Sequence, residues 1–132
     1  MTAKQVFMSY SKRDAALVER LRKALEKIGC TAFDPTNDVE HGEDVRKARR
    51  AAMRKADALI VVWGSPDKIE SSWVGYDVGM AEGLGKKVLT LMPDRFSLAQ
   101  IPADLSSRHV VKLDPAHPER TARDIADRLA AA

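Results

Sequence analysis

Short apolar segments alternate with amphipathic helical segments along the whole chain, and this alternation restricts the possible folds more than any other feature of the sequence. The predicted strands are 6–8, 31–33, 58–63, 88–92 and 109–113. The segment 58–63 lacks polar residues at alternate positions, which is typical of a strand buried on both faces of a parallel sheet. We therefore predict an α/β fold of the flavodoxin-like type, a three-layer sandwich with a five-stranded parallel sheet and helices on both faces.

Length and composition predict one soluble domain spanning residues 1–132. The chain is 45% hydrophobic and 31% charged, and its single cysteine, Cys30, cannot form an internal disulfide. No apolar run approaches the roughly 20 residues of a membrane helix, so no membrane association is expected. The first residues lack the apolar core of a signal peptide. These features predict a cytoplasmic protein.

The net charge of +3 is too small for a protein that mainly neutralises phosphates, so nucleic acid is not an expected partner. The segment 46–55 is locally basic, with Arg46, Lys47, Arg49, Arg50, Arg54 and Lys55. Its apolar residues recur at helical spacing, so we interpret these charges as the solvated side of an amphipathic helix. The three histidines are far apart in sequence, and no metal site is predicted.

One carboxylate falls on the apolar face of the predicted helix 72–85. Placed at about 100° per residue, that face contains Trp73, Val74, Val78, Met80, Ala81 and Leu84, with Asp77 in its middle. An ionised, unpaired carboxylate there would cost several kcal/mol. Asp77 is therefore either a functional group at a cavity or a structural residue that bonds to backbone or to a nearby arginine.

Three glycines, Gly75, Gly79 and Gly83, lie on the other side of this helix at four-residue spacing. Each costs roughly 1 kcal/mol relative to alanine in a helix interior. We expect a close neighbour on that side, and a helix of the same chain is favoured over a second copy.

Scarce aromatic residues fall near the carboxyl ends of the predicted strands. Tyr10, Phe33 and Trp63 end or follow three strands, and Trp73 and Tyr76 begin the helix after the third. Ligands of open α/β sheets bind beyond these strand ends, where the winding direction reverses. The aromatics predict either a stacking surface or ordinary packing at this edge.

At these residues the chain resembles the Toll/interleukin-1 receptor (TIR) domain family, particularly its bacterial members. The segment Val6-Phe7-Met8-Ser9-Tyr10-Ser11 with Asp14 is similar to the family's first motif, and 34–43 is similar to its loop for pocket formation and self-association. The segment 72–77 resembles the family's Ser-x-Trp-x-x-x-Glu helix, with Asp77 in place of the glutamate. Enzymatic members use that glutamate to split NAD⁺ into nicotinamide and ADP-ribose or a cyclic relative.

The resemblance implies a signalling module that binds NAD⁺ as substrate, not as cofactor, with Asp77 as its catalytic residue. Nicotinamide leaves as a neutral base, so one carboxylate that stabilises the oxocarbenium is enough. Asp77 reaches about 1.5 Å less far than glutamate, and a misplacement of about 1 Å can cost a hundredfold in rate. A slow enzyme, a repositioned site and a module that only binds all stay open.

The substrate-binding residues that we predict flank the crevice between the first and third strands. They are Ser9, Tyr10, Ser11, Trp63 and Ser65 for phosphate or ribose, and Phe33 and Trp73 for stacking on nicotinamide or adenine. For Trp73, a role as a core anchor of the helix is an equal alternative.

Two further functions remain open. The first is a non-catalytic homotypic interaction module that assembles through the loop 34–44. The second follows from the stretch Asp77-Val78-Gly79, Ala81 and Gly85-Lys86, which is also similar to the nucleoside 2-deoxyribosyltransferases. An N-glycosidase of that class would act on nucleosides or nucleotides and leave NAD⁺ intact.

Overall fold

A computed structural model describes residues 4–35, 44–63, 72–93 and 109–130 of the chain. The strands are β1 (Lys4–Tyr10), β2 (Cys30–Phe33), β3 (Ala58–Val62), β4 (Lys87–Met92) and β5 (His109–Lys112). The α-helices are α1 (Ala15–Lys27), α2 (Val45–Lys55), α3 (Ser72–Gly83) and α4 (Pro118–Ala130). A 3₁₀ turn, Lys12–Asp14, connects β1 to α1.

The five strands form one parallel sheet in the order β2-β1-β3-β4-β5. The chain first adds β2 on one side of β1 and then β3 on the other, so the winding direction reverses between β1 and β3. Phe7 of β1 is in register with Phe33 of β2 and Leu59 of β3. The predicted five-stranded parallel sheet of an α/β fold is confirmed.

Two hydrophobic clusters cover the two faces of the sheet. One joins α1 and α4 to the sheet through residues such as Leu21, Ile125 and Met8. The other joins α2 and α3 to the opposite face through residues such as Met53, Val78 and Phe7. Because side chains alternate along a strand, neighbouring residues of β1 contribute to different clusters. The helices therefore lie on both faces, as predicted.

Local signals in the sequence set several helix ends. The side chain of Asp44 accepts hydrogen bonds from the backbone N–H groups of Arg46 and Lys47 and caps α2. Ser11 accepts from the Arg13 N–H and caps the 3₁₀ turn, so α1 begins only after Asp14. Gly85, with φ +69°, follows the end of α3 in a conformation that glycine adopts at little cost.

Two expectations about helix faces are wrong. Arg49 is buried, with 8% of its surface exposed, although we assigned it to the solvated side of its helix. Leu84 is 41% exposed because α3 ends at Gly83, one residue before it. The predicted loop between β4 and β5 falls largely outside the described residues. Within the described ranges, no helix is both long and apolar enough to span a bilayer.

The glycine side of α3 borders an open groove. A Cβ atom built at Gly75, Gly79 or Gly83 meets no atom within 4 Å among the described parts of the chain. The groove has a volume of about 460 Å³ and includes Arg50 and Arg54 of α2 in its lining. The expected close approach of a helix is therefore wrong for the residues that the structure describes.

Candidate functional site

Ser9 and Tyr10, adjacent residues at the carboxyl end of β1, point to opposite faces of the sheet. Ser9 is buried on the face covered by α2 and α3, where its hydroxyl contacts Asp77. Tyr10 packs against the hydrophobic cluster on the α1 and α4 side. The strict alternation of side chains along a strand places these two predicted binding residues apart. Ser9 and Asp77 are thus together, whereas Tyr10 belongs to a different environment.

Asp77 is completely buried on the inner side of α3, with 0% of its surface exposed. Its Oδ2 atom accepts two hydrogen bonds, from Ser9 Oγ at 2.8 Å and from Arg49 Nη1 at 2.5 Å. The cluster therefore connects β1, α2 and α3 through one carboxylate oxygen. It corresponds to the structural alternative that the sequence left open, in which a nearby arginine pairs with Asp77.

Arg49 reaches Asp77 because it lies on the buried stripe of α2. It is three residues before Ala52 and four before Met53, and residues at this spacing share one helix face. Its guanidinium carbon is 5.8 Å from the centroid of the Phe7 ring, within the range of a cation–π interaction. The side chain is thus held between an aromatic ring and a carboxylate, both buried.

Burial raises the pKa of Asp77, while the positive charge of Arg49 and the hydrogen bonds from Ser9 and Arg49 oppose that rise. Oδ2 carries both hydrogen bonds. The other carboxylate oxygen, Oδ1, is buried and has no hydrogen-bond partner among the described residues. A buried acceptor without a partner is uncommon in folded proteins. The arrangement can accept a further hydrogen bond at Oδ1 from a donor such as a sugar hydroxyl.

Two of the predicted aromatic residues lie on the same face of the sheet as Asp77. The Phe33 ring packs on the Phe7 ring with centroids 5.1 Å apart and the planes tilted by 46°. Trp63 is buried in the same cluster, and its indole Nε1 has no hydrogen-bond partner among the described residues. Ser65 and the side chain of Trp73 lie outside the described residues, and their predicted roles stay predictions.

Tyr10 and Ser11 make local structural contacts. The Tyr10 hydroxyl donates a 2.6 Å hydrogen bond to Oδ1 of Asp34, a buried residue directly after β2. This bond joins the carboxyl ends of β1 and β2. Ser11 caps the 3₁₀ turn through its side-chain oxygen. The assignment of Tyr10 and Ser11 to substrate binding stays a prediction.

Sequence reasoning selected Asp77 and Ser9 as candidate site residues, and the structure brings them into contact, but it missed Arg49. The missed signal was present, because Arg49 falls on the same helical stripe as Ala52 and Met53. A charged residue on a buried stripe needs a partner of opposite charge. Arg49 and Asp77 are the two charges that the described parts of α2 and α3 direct inward.

Solved structures similar to this chain include TIR domains and a 2-deoxyribosyltransferase. The TIR domain of the Toll-related receptor TRR-2 from Hydra magnipapillata has a TM-score of 0.74 at 18% identity, over 96% of this chain and 98% of that one. The TIR domains of the activated Roq1 resistosome have a TM-score of 0.72 at 14% identity, over 96% and 99%. A 2-deoxyribosyltransferase from Bacillus psychrosaccharolyticus has a TM-score of 0.66 at 19% identity, over 87% and 90%.

At these identities the structural likeness establishes the fold. A search of curated protein sequences finds no match. The sequence model of the TIR domain family matches residues 6–130, which is nearly the whole chain. The chain belongs to the TIR domain family.

Proposed function

We propose that this TIR domain acts in signalling by binding NAD⁺ or a related nucleotide at the carboxyl edge of its sheet and by cleaving it slowly. The observation that carries the proposal is the buried carboxylate of Asp77, whose Oδ1 has no hydrogen-bond partner among the described residues. Oδ1 would accept a hydrogen bond from a ribose hydroxyl. The negative charge would stabilise the oxocarbenium that forms as the glycosidic bond breaks.

The proposed reaction needs no acid for the leaving group. The bond between ribose C1′ and the pyridinium nitrogen breaks, its electron pair neutralises the ring nitrogen, and nicotinamide leaves. Water then adds to C1′ and loses a proton, which gives ADP-ribose; addition of an internal nucleophile would give a cyclic product. The part of Asp77 is electrostatic and orienting, since no proton has to move to or from nicotinamide.

Two features of Asp77 favour slow turnover. Its carboxylate reaches about 1.5 Å less far than that of glutamate. In addition, burial raises the pKa of Asp77, which disfavours the ionised form that would stabilise the oxocarbenium. Because Asp77 has no exposed surface, a ligand must also displace the atoms that cover Oδ1.

The decisive experiment follows nicotinamide release by chromatography at high protein concentration. We expect slow release by the wild type, background release by Asp77→Ala, and unchanged release by Asp124→Asn, which removes an exposed carboxylate from α4. Asp77→Glu should raise the rate if reach is limiting. Equal release by the wild type and Asp77→Ala would refute the enzymatic proposal.

The same reaction mixtures distinguish the nucleoside alternative. Deoxynucleosides and cytidine nucleotides, offered in place of NAD⁺, should stay intact under the proposed function. Release of free base from these compounds, with NAD⁺ unchanged, would favour a deoxyribosyltransferase-like activity over NAD⁺ cleavage. Asp77→Ala again serves as the control, because both chemistries would depend on this carboxylate.

A second candidate is a non-catalytic module that signals by homotypic association. The salt bridge favours it, because in the fold Asp77 already has a structural partner in Arg49. The similar Roq1 TIR domains are part of an activated resistosome, which is an assembly. Light scattering across a range of protein concentrations tests this candidate. A chain that remains monomeric at every concentration would contradict it.

A further inference from the structure

We infer that Arg49 is a positioning residue for the proposed site: it holds Oδ2 of Asp77 and thereby leaves Oδ1 as the oxygen that meets a ribose hydroxyl. The inference rests on the proposed function and adds a residue that does not itself touch substrate.

The hydrogen bonds around Asp77 are unequal on its two oxygens. Ser9 Oγ and Arg49 Nη1 approach the same atom, Oδ2, from two different elements of the fold, β1 and α2. Two donors on one oxygen restrict rotation of the carboxylate, because rotation would break both bonds. Oδ1 is therefore fixed in one direction, and it is the oxygen without a partner among the described residues.

Stability alone does not account for an arginine at position 49. The position lies on a buried stripe, where an apolar side chain would pack against the ring of Phe7. Replacing a buried ion pair by apolar residues of similar volume is often neutral or stabilising. The pair is better explained by what it does for the carboxylate, namely orientation and retention of its charge.

Among the described residues, Arg49 is the charge that faces Asp77. The segment Ala58–Val62 of β3 is wholly apolar, and the remaining basic residues of α2 are exposed. Lys87, at the start of β4, donates to the backbone carbonyl of Arg128 on the other face of the sheet. Tyr10 of β1 faces away from Asp77. A change in the titration of Asp77 can therefore be attributed to Arg49.

Removing the arginine should affect both the orientation and the charge of Asp77. In Arg49→Met the carboxylate keeps its burial but loses its counter-charge, so it stays protonated to higher pH. A protonated carboxyl group cannot stabilise an oxocarbenium by charge. Arg49→Lys retains the charge without the planar guanidinium, so it should restore charge better than orientation.

The test combines a titration without ligand and a rate measurement with NAD⁺. The first follows the ¹³C carboxyl resonance of Asp77 with pH in the wild type, Arg49→Met, Arg49→Lys and Arg50→Met. Arg50 is an exposed neighbour on the same helix and provides the matched control. The second measures the pH profile of nicotinamide release by the same four proteins, together with NAD⁺ affinity.

We expect Arg49→Met to raise the pKa of Asp77, to move the rising limb of the rate profile to the same higher pH, and to lower the rate at neutral pH about 10- to 100-fold. Arg49→Lys should lie between Arg49→Met and the wild type, and Arg50→Met should match the wild type. If Arg49→Met does not fold, Ser9→Ala removes the other donor to Oδ2. It should shift both profiles in the same direction by a smaller amount.

Each outcome bears on one proposal or on both. An unchanged Asp77 titration in Arg49→Met, or in both Arg49→Lys and Ser9→Ala, would overturn the inference. A shifted titration with normal NAD⁺ affinity and rate would also overturn it, and the proposed function would stand. If no variant and no wild-type protein bound or cleaved NAD⁺, the proposed function would fail, and the role of Arg49 toward a ligand would fail with it.

Discussion

Arg49 of α2 and Asp77 of α3 form a buried ion pair between two helices on the same face of the sheet, with Nη1 and Oδ2 2.5 Å apart. The residues are 28 positions apart in sequence, and β3 lies between them along the chain. The pair is therefore a tertiary contact, which forms only when both helices have docked.

Removing one member of this pair should destabilise the protein far more than removing both. Arg49→Met removes the counter-charge of the buried Asp77 carboxylate, and Asp77→Leu removes the carboxylate that pairs with Arg49. Loss of one member of a buried pair costs about 3–5 kcal/mol in free energy of unfolding. The double variant should lie within about 1 kcal/mol of the wild type. Urea denaturation of the four proteins measures the coupling. Additive losses in the double variant would argue against a coupled buried pair.

Stability should fall with rising pH relative to Asp77→Asn, which cannot titrate. Burial raises the pKa of Asp77 in the folded state above the ordinary value of about 3.9 that it has in the unfolded chain. The folded protein therefore binds this proton more tightly, and the associated stability is fully present below the ordinary pKa. It is lost as pH rises through the folded pKa.

Urea unfolding of the wild type and Asp77→Asn from pH 4 to pH 8 measures this effect as the difference between their free energies of unfolding. Titrations common to both proteins cancel in the difference. We expect the free energy of unfolding of the wild type minus that of Asp77→Asn to decrease as pH rises. An increase would mean that Arg49 and Ser9 lower the pKa of Asp77 by more than burial raises it.

Loss of the Tyr10 hydroxyl should weaken the contact between the carboxyl ends of β1 and β2. Tyr10→Phe removes a 2.6 Å hydrogen bond to the buried Asp34, and a typical hydrogen bond contributes about 0.5–1.5 kcal/mol to the free energy of unfolding. The cost should be smaller in an Asp34→Asn background, because the two residues are coupled. Thermal or urea unfolding measures both values, and equal costs in the two backgrounds would show that the pair is not coupled.

Alanine should stabilise α3 at Gly79 and destabilise the turn at Gly85. A Cβ at Gly79 meets no atom of the described segments within 4 Å, so the substitution gains helix propensity of about 0.5–1 kcal/mol. At Gly85 the backbone has φ +69°, which alanine adopts only with strain. Unfolding experiments on both variants test the contrast. A loss of stability in Gly79→Ala would reveal a close neighbour at that face.

Periodicity alone predicted the order of strands and helices, because burial imposes a period of two on strands and 3.6 on helices. It also predicted that Asp77 faces inward. Periodicity did not predict that Arg49 pairs with Asp77, since a pattern within one helix carries no information about which distant helix packs against it. The charged neighbours of Arg49 predict a solvated position for it, whereas its spacing from Ala52 and Met53 places it on the buried stripe.

The carboxyl end of α3 also differs from the sequence prediction, because a pattern within one helix does not show where neighbouring elements pack. The predicted helix extended to residue 85 and counted Leu84 on its apolar face, whereas α3 ends at Gly83 and exposes that leucine. The spacing of the glycines at 75, 79 and 83 predicts a surface that contacts another helix, but small residues also occur where a helix borders open space. Only the packing of neighbouring elements distinguishes the two cases.

The opposite facing of Ser9 and Tyr10 makes the alignment of β1 with its neighbours critical. If β1 slipped by one position, the phenol would turn toward the arginine and aspartate beneath α3, and the small hydroxyl would lie too far from Asp34 to replace it. Both polar connections would be lost in a single step. Misaligned pairings of β1 are thereby penalised twice, which helps this chain to select one arrangement of its sheet.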